Sequence, residues 1–232
     1  MLVIISFQGI AQVNVGKVLN QAATAVSTGT KPSLSNDEVV NGLREALTVG
    51  TSNSASKASA MDGYFKNPAI KIPFPKEAQQ METTLKSLGM TNQVNEFVKT
   101  LNRAAEEAAK DAAPIFINAI KSMSISDGFT ILKGEDNAAT KYLQDKTTTD
   151  LTAQFQPVVA AALKKVQVTK YWKPLFTKYN KVPGVKRVNP NLEQYVTAKA
   201  IEGLFKLVAE EEFKIRKDPG ARISDLLKKV FG

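Results

Sequence analysis

From Leu34 onward, apolar residues recur mostly three or four positions apart, the spacing that lines one face of an α-helix. Ser35 and Glu38 have the spacing of a capping box, and Leu34 and Val39 stand at the staple positions on either side. A helix is therefore predicted to start there and to carry Val39, Val40, Leu43, Ala46 and Leu47 toward Gly50. Between Asn67 and Pro75 the period changes to two, with Ile70, Ile72 and Phe74 alternating with other residues. The prolines in this run restrict it to an edge strand or an extended arm. Helical spacing returns at Thr91 with Val94, Phe97, Val98, Leu101, Ala105, Ala108 and Ala112. It continues after Pro114, a residue suited to a first helical turn, through Ile115, Phe116, Ala119, Ile120 and Met123.

Asp127 to Lys133 reads as a short helix stopped at Gly134, and Asp136 as the N-cap of a helix through Tyr142 and Leu143. Leu151, Phe155, Val158, Val159, Ala162, Leu163 and Val166 outline a further amphipathic helix. Beyond the Pro- and Gly-containing connection VPGVKRVNPN, Asn191 is placed to cap a long helix. Its apolar positions (Leu192, Tyr195, Val196, Ala200, Ile201, Leu204, Phe205, Leu207, Val208) span a face wide enough for a central, buried element. Asp218-Pro219 ends it, and Ser224 caps a terminal helix. No fixed-period repeat or low-complexity linker divides residues 34–232, so the expected architecture is one all-α, multi-helix bundle with at most a minor extended or two-stranded element.

The first 33 residues look different. Leu2 to Ala11 resembles the end of a signal-peptide h-region, without a basic segment before it and too short to span a bilayer. Residues 12–33 have the Ser, Thr, Gly and Pro content of a flexible leader. The expected organisation is thus a signal-like segment at 1–11, a leader at 12–33 and a helical domain at 34–232, in a periplasmic or secreted protein.

Charge is unevenly distributed. Of a net charge of +9, eight units fall between Leu151 and Leu192, a stretch with no Asp or Glu. It holds Lys164, Lys165, Lys170, Lys173, Lys178, Lys181, Lys186 and Arg187, interleaved with Tyr171 and Trp172. Lysines near aromatic rings suit a phosphate-bearing lipid surface or an acidic polysaccharide, and an exported location weighs against nucleic acid. The competing reading is a solvated lysine face whose aromatics point into the core.

The chain has no histidine and no cysteine, which removes the usual zinc sites, thiolate nucleophiles, Ser-His dyads and disulfides. No metal site and no cofactor is expected. Ser54-Ala55-Ser56-Lys57 matches the S-x-x-K pattern of penicillin-recognising enzymes, but the companion K-T-G and S-D-N elements are absent.

LNRAAE (101–106), DGFTILKGEDNAAT (127–140) and EEEFKIRKDPGAR (210–222), with LLKKVFG at the end, resemble a bacterial family known as domain of unknown function four-one-nine-seven. The resemblance spans about Leu34 to Gly232. It implies a mostly helical exported protein of Gram-negative bacteria and transfers no catalytic residue. Where the family pattern has Asp-Ala, this chain has Asp127-Gly128, a change expected to affect local helix stability.

Within those motifs Arg103 reaches both Glu106 and Glu107, and Arg216 reaches Glu212, at helical spacing. Arg103, Glu106, Asp127 and Arg216 are expected to form one polar network, either a core device that fixes helix docking or an acid/base site. The leading expectation is a non-enzymatic binding or structural protein of the bacterial envelope with a basic face. A hydrolase of envelope polymers using Glu106 and Asp127 is the alternative.

Overall fold

The computed structural model describes residues 35–165, 168–185 and 191–222, with Lys228 and Val230, and leaves out the side chains of Glu77, Lys165 and residues 168–171. The α-helices are α1 (Asn36–Ser59), α2 (Gln79–Ser87), α3 (Thr91–Ala108), α4 (Ala112–Lys121), α5 (Ile125–Lys133), α6 (Ala138–Lys165), α7 (Val168–Tyr179) and α8 (Leu192–Lys217). No strand occurs among the described residues, so the fold is all-α. The signal-like segment, the leader and the helix expected from Ser224 lie outside the described residues, as do Lys186 and Arg187.

The wide apolar face of α8 has the central role its composition predicts: it packs against α6, α1 and α3, with Val196, Ala200, Leu204 and Leu207 nearly inaccessible to solvent. Its N-terminus is set by Asn191, whose side chain accepts a hydrogen bond from the Gln194 amide at 3.0 Å. At the other end Arg222 donates to the carbonyls of Ile215 and Arg216, satisfying groups that a helix C-terminus leaves open.

Helix α1 runs past Gly50 to Ser59, and Gly50 is a buried mid-helix position facing Glu211 and Ile215 of α8. The two helices expected around Leu143 and Leu151 are one, α6. The polar run between them hid this. Thr147 is buried inside it and returns its hydroxyl hydrogen bond to the Leu143 carbonyl at 2.6 Å. Residues 76–90, to which the pattern assigned no element, contain a 3-10 turn and α2, which buries Met81 and Leu85.

The segment of period two opens as a turn, in which the Ile70 and Lys71 amides donate to the Asn67 carbonyl at 3.2 and 2.8 Å, and only the residues after it, to Pro75, run as an arm. Ile70, Ile72 and Phe74 point inward as the alternation predicts, but the arm pairs with no strand among the described residues. Its partner is a side chain: the Asn102 amide accepts from the Ile72 N–H at 2.8 Å and donates to the Ile72 carbonyl at 2.9 Å, as a neighbouring strand would.

Gly128 has a packing role beyond local helix stability. A Cβ at this position would lie 2.8 Å from Val40 Cγ2 and 3.1 Å from Cγ1, so the glycine permits the approach of α5 to α1. Overpacking typically costs about 1–3 kcal/mol, whereas alanine in place of glycine gains about 1 kcal/mol of helix propensity. Gly128→Ala is therefore expected to lower the urea midpoint modestly. In a Val40→Ala background the same substitution should raise it, and an equal effect in both backgrounds would show that Val40 is not the obstruction.

Candidate functional site

Helix α1 ends in a turn that only a glycine can complete. A Cβ on Gly63 would fall 2.2 Å from the Lys57 carbonyl oxygen and 2.7 Å from that of Ala58. Asp62 beside it adopts a left-handed φ of 67°, which Asp tolerates better than most residues. This turn aims the consecutive amides of Tyr64 and Phe65 at Glu106 on α3, and both donate to Oε1 at 3.1 Å. Arg103, one helical turn earlier, donates to Glu106 Oε2 at 2.5 Å and to Asp62 Oδ1 at 2.5 Å. Hydrogen bonds from Lys66 and then Arg103 hold the Asp62 carboxyl below the usual carboxylate range. Burial disfavours the Arg103 cation, but Glu106 and Asp62 more than compensate and raise its pKa.

Glu106 is 4% exposed and both its oxygens are engaged by the scaffold. Below it, the buried Tyr64 donates its hydroxyl to the Ala200 carbonyl of α8 at 2.6 Å. Burial raises the pKa of this phenol, so it acts as a fixed donor.

A second cluster has the same design. Glu212 of α8 accepts the amides of Ala139 at 2.9 Å and Thr140 at 2.8 Å, in the first turn of α6, together with the Thr140 hydroxyl at 2.7 Å. Arg216 supplies the charge, donating to Glu212 through Nε at 3.0 Å and Nη2 at 2.9 Å, and its Nη2 also reaches the Ile131 carbonyl at the end of α5. A carboxylate at a helix N-terminus is favoured by the helix dipole as well as by the two N–H groups.

The four residues expected to form one network are thus divided. Arg103 pairs with Glu106, while Glu107 meets Lys110 at 2.7 Å. Arg216 pairs with Glu212. Asp127 belongs to neither pair: it is the third residue of α5 and closes a capping box with Ser124, accepting its amide at 2.9 Å. That backbone hydrogen bond, followed by the Ser124 hydroxyl, lowers the pKa of its carboxyl. The Ser124-x-x-Asp127 spacing is the sequence signal that would have separated it from the arginines. The S-x-x-K residues are also occupied, Ser54 by the Gly50 carbonyl at 2.7 Å and Lys57 by Glu211. Among the described residues no group of three His, Cys, Asp or Glu side chains is placed to hold a metal ion.

Of the basic stretch, Lys164, Lys173, Lys178 and Lys181 are described and all are exposed. Their aromatic neighbours face inward: Trp172 stacks on Phe97 with centroids 4.9 Å apart and also meets Phe176, while Leu175 and Tyr179 are fully buried. Trp172 is therefore half-buried against the core, while Lys173 and Lys178 of α7 are exposed, with Lys164 on α6 and Lys181 just after α7. The side chains of Lys165, Lys170 and Tyr171 lie outside the described residues.

A cavity of about 690 Å³ opens beside Arg103 and Glu106. Its lining includes Met61 after α1, Glu107 at the end of α3, Lys110 in the turn that follows, and Pro157, Val158, Ala161 and Ala162 of α6. Sequence reasoning placed Val158 and Ala162 on a core face and so gave no sign of the cavity, which arises only when α3 and α6 are brought together.

No curated protein and no solved structure gives a match to this chain. A family model, described as a protein of unknown function (DUF4197), matches residues 33–232. That span includes both arginine–glutamate clusters and the cavity, and the chain belongs to the DUF4197 family of proteins of unknown function.

Proposed function

We propose that this protein is a non-enzymatic binding protein of the bacterial envelope, periplasmic or secreted, whose lysine-rich segment meets an anionic lipid surface. The observation that carries the reading is the clustering of exposed lysines in one acid-free stretch. Lys57, Lys66, Lys86, Lys110, Lys199 and Lys214 each hold a carboxylate. Lys71, Lys76, Lys121, Lys133 and Lys146 are also exposed without an ion pair among the described residues, but they are scattered among acids; Lys164, Lys173, Lys178 and Lys181 make no ion pair among the described residues within a stretch of sequence that contains no acid. Uncompensated lysines on one segment attract phosphate-bearing lipid over roughly one Debye length, about 8–10 Å at physiological salt. No helix among the described residues is long and apolar enough to cross a membrane, which fits a peripheral mode of contact. The signal-like run from Leu2 to Ala11 supports export.

Catalysis through Glu106 and Asp127 finds less support, since one carboxylate is committed to two backbone amides and an arginine and the other to a helix cap.

The test is co-sedimentation of the full chain with vesicles of increasing phosphatidylglycerol content. A lysine near an anionic surface contributes about 1 kcal/mol, so Lys173→Gln/Lys178→Gln/Lys181→Gln is expected to weaken partitioning roughly 100-fold. Added salt should have the same direction of effect. Binding that ignores both salt and the triple substitution would refute the lipid reading, and binding to an acidic polysaccharide in place of vesicles would redirect it.

A further inference from the structure

We infer that the cavity between the end of α1, α3 and α6 is a binding site for a single-chain anionic amphiphile of the fatty-acid class, its chain in the cavity and its carboxylate toward Lys164. The inference deepens the lipid reading above and rests on it for the identity of the headgroup charge.

The cavity's volume of about 690 Å³ falls within the roughly 300–1,000 Å³ typical of small-molecule sites. Its α6 wall, formed by Pro157, Val158, Ala161 and Ala162, presents no polar side-chain group. Such a wall suits an alkyl chain and offers nothing to the hydroxyls of a sugar or the edges of a base. The facing wall carries charge, but in cancelled form: Arg103 is held by Glu106 at 2.5 Å and Lys110 by Glu107 at 2.7 Å. An anionic head therefore gains little by lying there.

The nearest uncompensated charge along the apolar wall is Lys164, three residues after Ala161 and so one turn further along α6. It is exposed and has no ion pair among the described residues. Helical spacing thus sets a cation on the Pro157 and Ala161 side of α6, one turn beyond the lining residues, the arrangement an anionic amphiphile needs. Met61, 84% exposed at the rim, adds a flexible thioether side chain able to adapt to a chain of variable length.

The experiment is calorimetric titration of the full chain with dodecanoate and, separately, with dodecan-1-ol, both below the concentrations at which they aggregate. The wild type is expected to bind dodecanoate one to one. Ala161→Phe, and independently Val158→Phe, should weaken binding of both probes at least ten-fold, with an unchanged thermal midpoint showing that the variant has folded. Lys164→Gln should weaken dodecanoate several-fold and leave dodecan-1-ol unaffected. The Lys173→Gln/Lys178→Gln/Lys181→Gln protein should keep its dodecanoate affinity while losing vesicles, which separates the cavity from the lysine surface. Absence of dodecanoate binding in a wild type that still binds vesicles overturns the cavity and spares the lipid reading. Binding that survives both cavity-filling substitutions also overturns it.

Discussion

Replacing Glu106 with leucine is expected to lower the stability of the domain by about 3–5 kcal/mol, the usual cost of removing one partner from a buried ion pair. Small and medium domains have only about 5–15 kcal/mol in all. The loss has three sources. Arg103 would keep Asp62 but lose its second carboxylate. The amides of Tyr64 and Phe65 would lose their acceptor, at about 1–3 kcal/mol for each buried donor left unmade. The turn at Gly63, whose left-handed neighbour Asp62 is held by the same arginine, would lose the contact that holds it against α3. Glu106→Gln separates these terms, since its carbonyl oxygen still serves the two amides while the charge is gone; about half the loss is expected. The check is urea unfolding followed by circular dichroism. A leucine variant that stays within 1 kcal/mol of wild type would mean that the cluster does not fix the turn, and Glu106 would again be free for a chemical role.

Much of the fold was legible because its signals are local. The Asn191 cap, the wide face of α8 and the Asp218-Pro219 stop needed no knowledge of the rest of the chain. The same holds for the ion pairs within single helices, Arg103–Glu106 and Glu212–Arg216, which follow from spacing alone. What each pair does was not legible. Their decisive partners are backbone amides at Tyr64 and Phe65 or at Ala139 and Thr140, and every residue except proline carries an amide, so no side-chain pattern marks the ones that matter. Asp127 reads in sequence as a partner for the arginines because it is an acid within a shared motif, whereas Ser124 three residues earlier already satisfies it. The cavity escaped for another reason: an alanine facing a neighbour and an alanine facing a void read alike in sequence.

The three motifs behind the family resemblance meet in these clusters. LNRAAE supplies Asn102, which pairs with the extended arm, and Arg103 and Glu106, which hold the turn after α1. DGFTILKGEDNAAT supplies the Ile131 carbonyl and the first amides of α6, and EEEFKIRKDPGAR supplies the Glu212 and Arg216 that bind them. Segments far apart in the chain are thus tied together through these carboxylates, whose oxygens are taken up by backbone amides and arginines.

Glu212→Leu should be as damaging as the change at Glu106, about 3–5 kcal/mol, because Arg216 is left with little besides the Ile131 carbonyl while its side chain is only 11% exposed. The start of α6 would also be deprived of its anionic acceptor, and the Ala139 and Thr140 amides should exchange with solvent faster. A second substitution divides the two effects. Arg216→Met in the same chain removes the stranded charge, so the double variant is expected to be no less stable than Glu212→Leu alone, although the α6 amides remain open. Contacting charges of this kind show coupling of roughly 0.5–3 kcal/mol in such cycles. Strict additivity of the two costs would mean that the arginine contributes nothing through Glu212, and that capping α6 is the whole of the carboxylate's role. A coupling in the expected range, with fast exchange persisting at Ala139 and Thr140 in the double variant, would establish that one side chain performs both tasks.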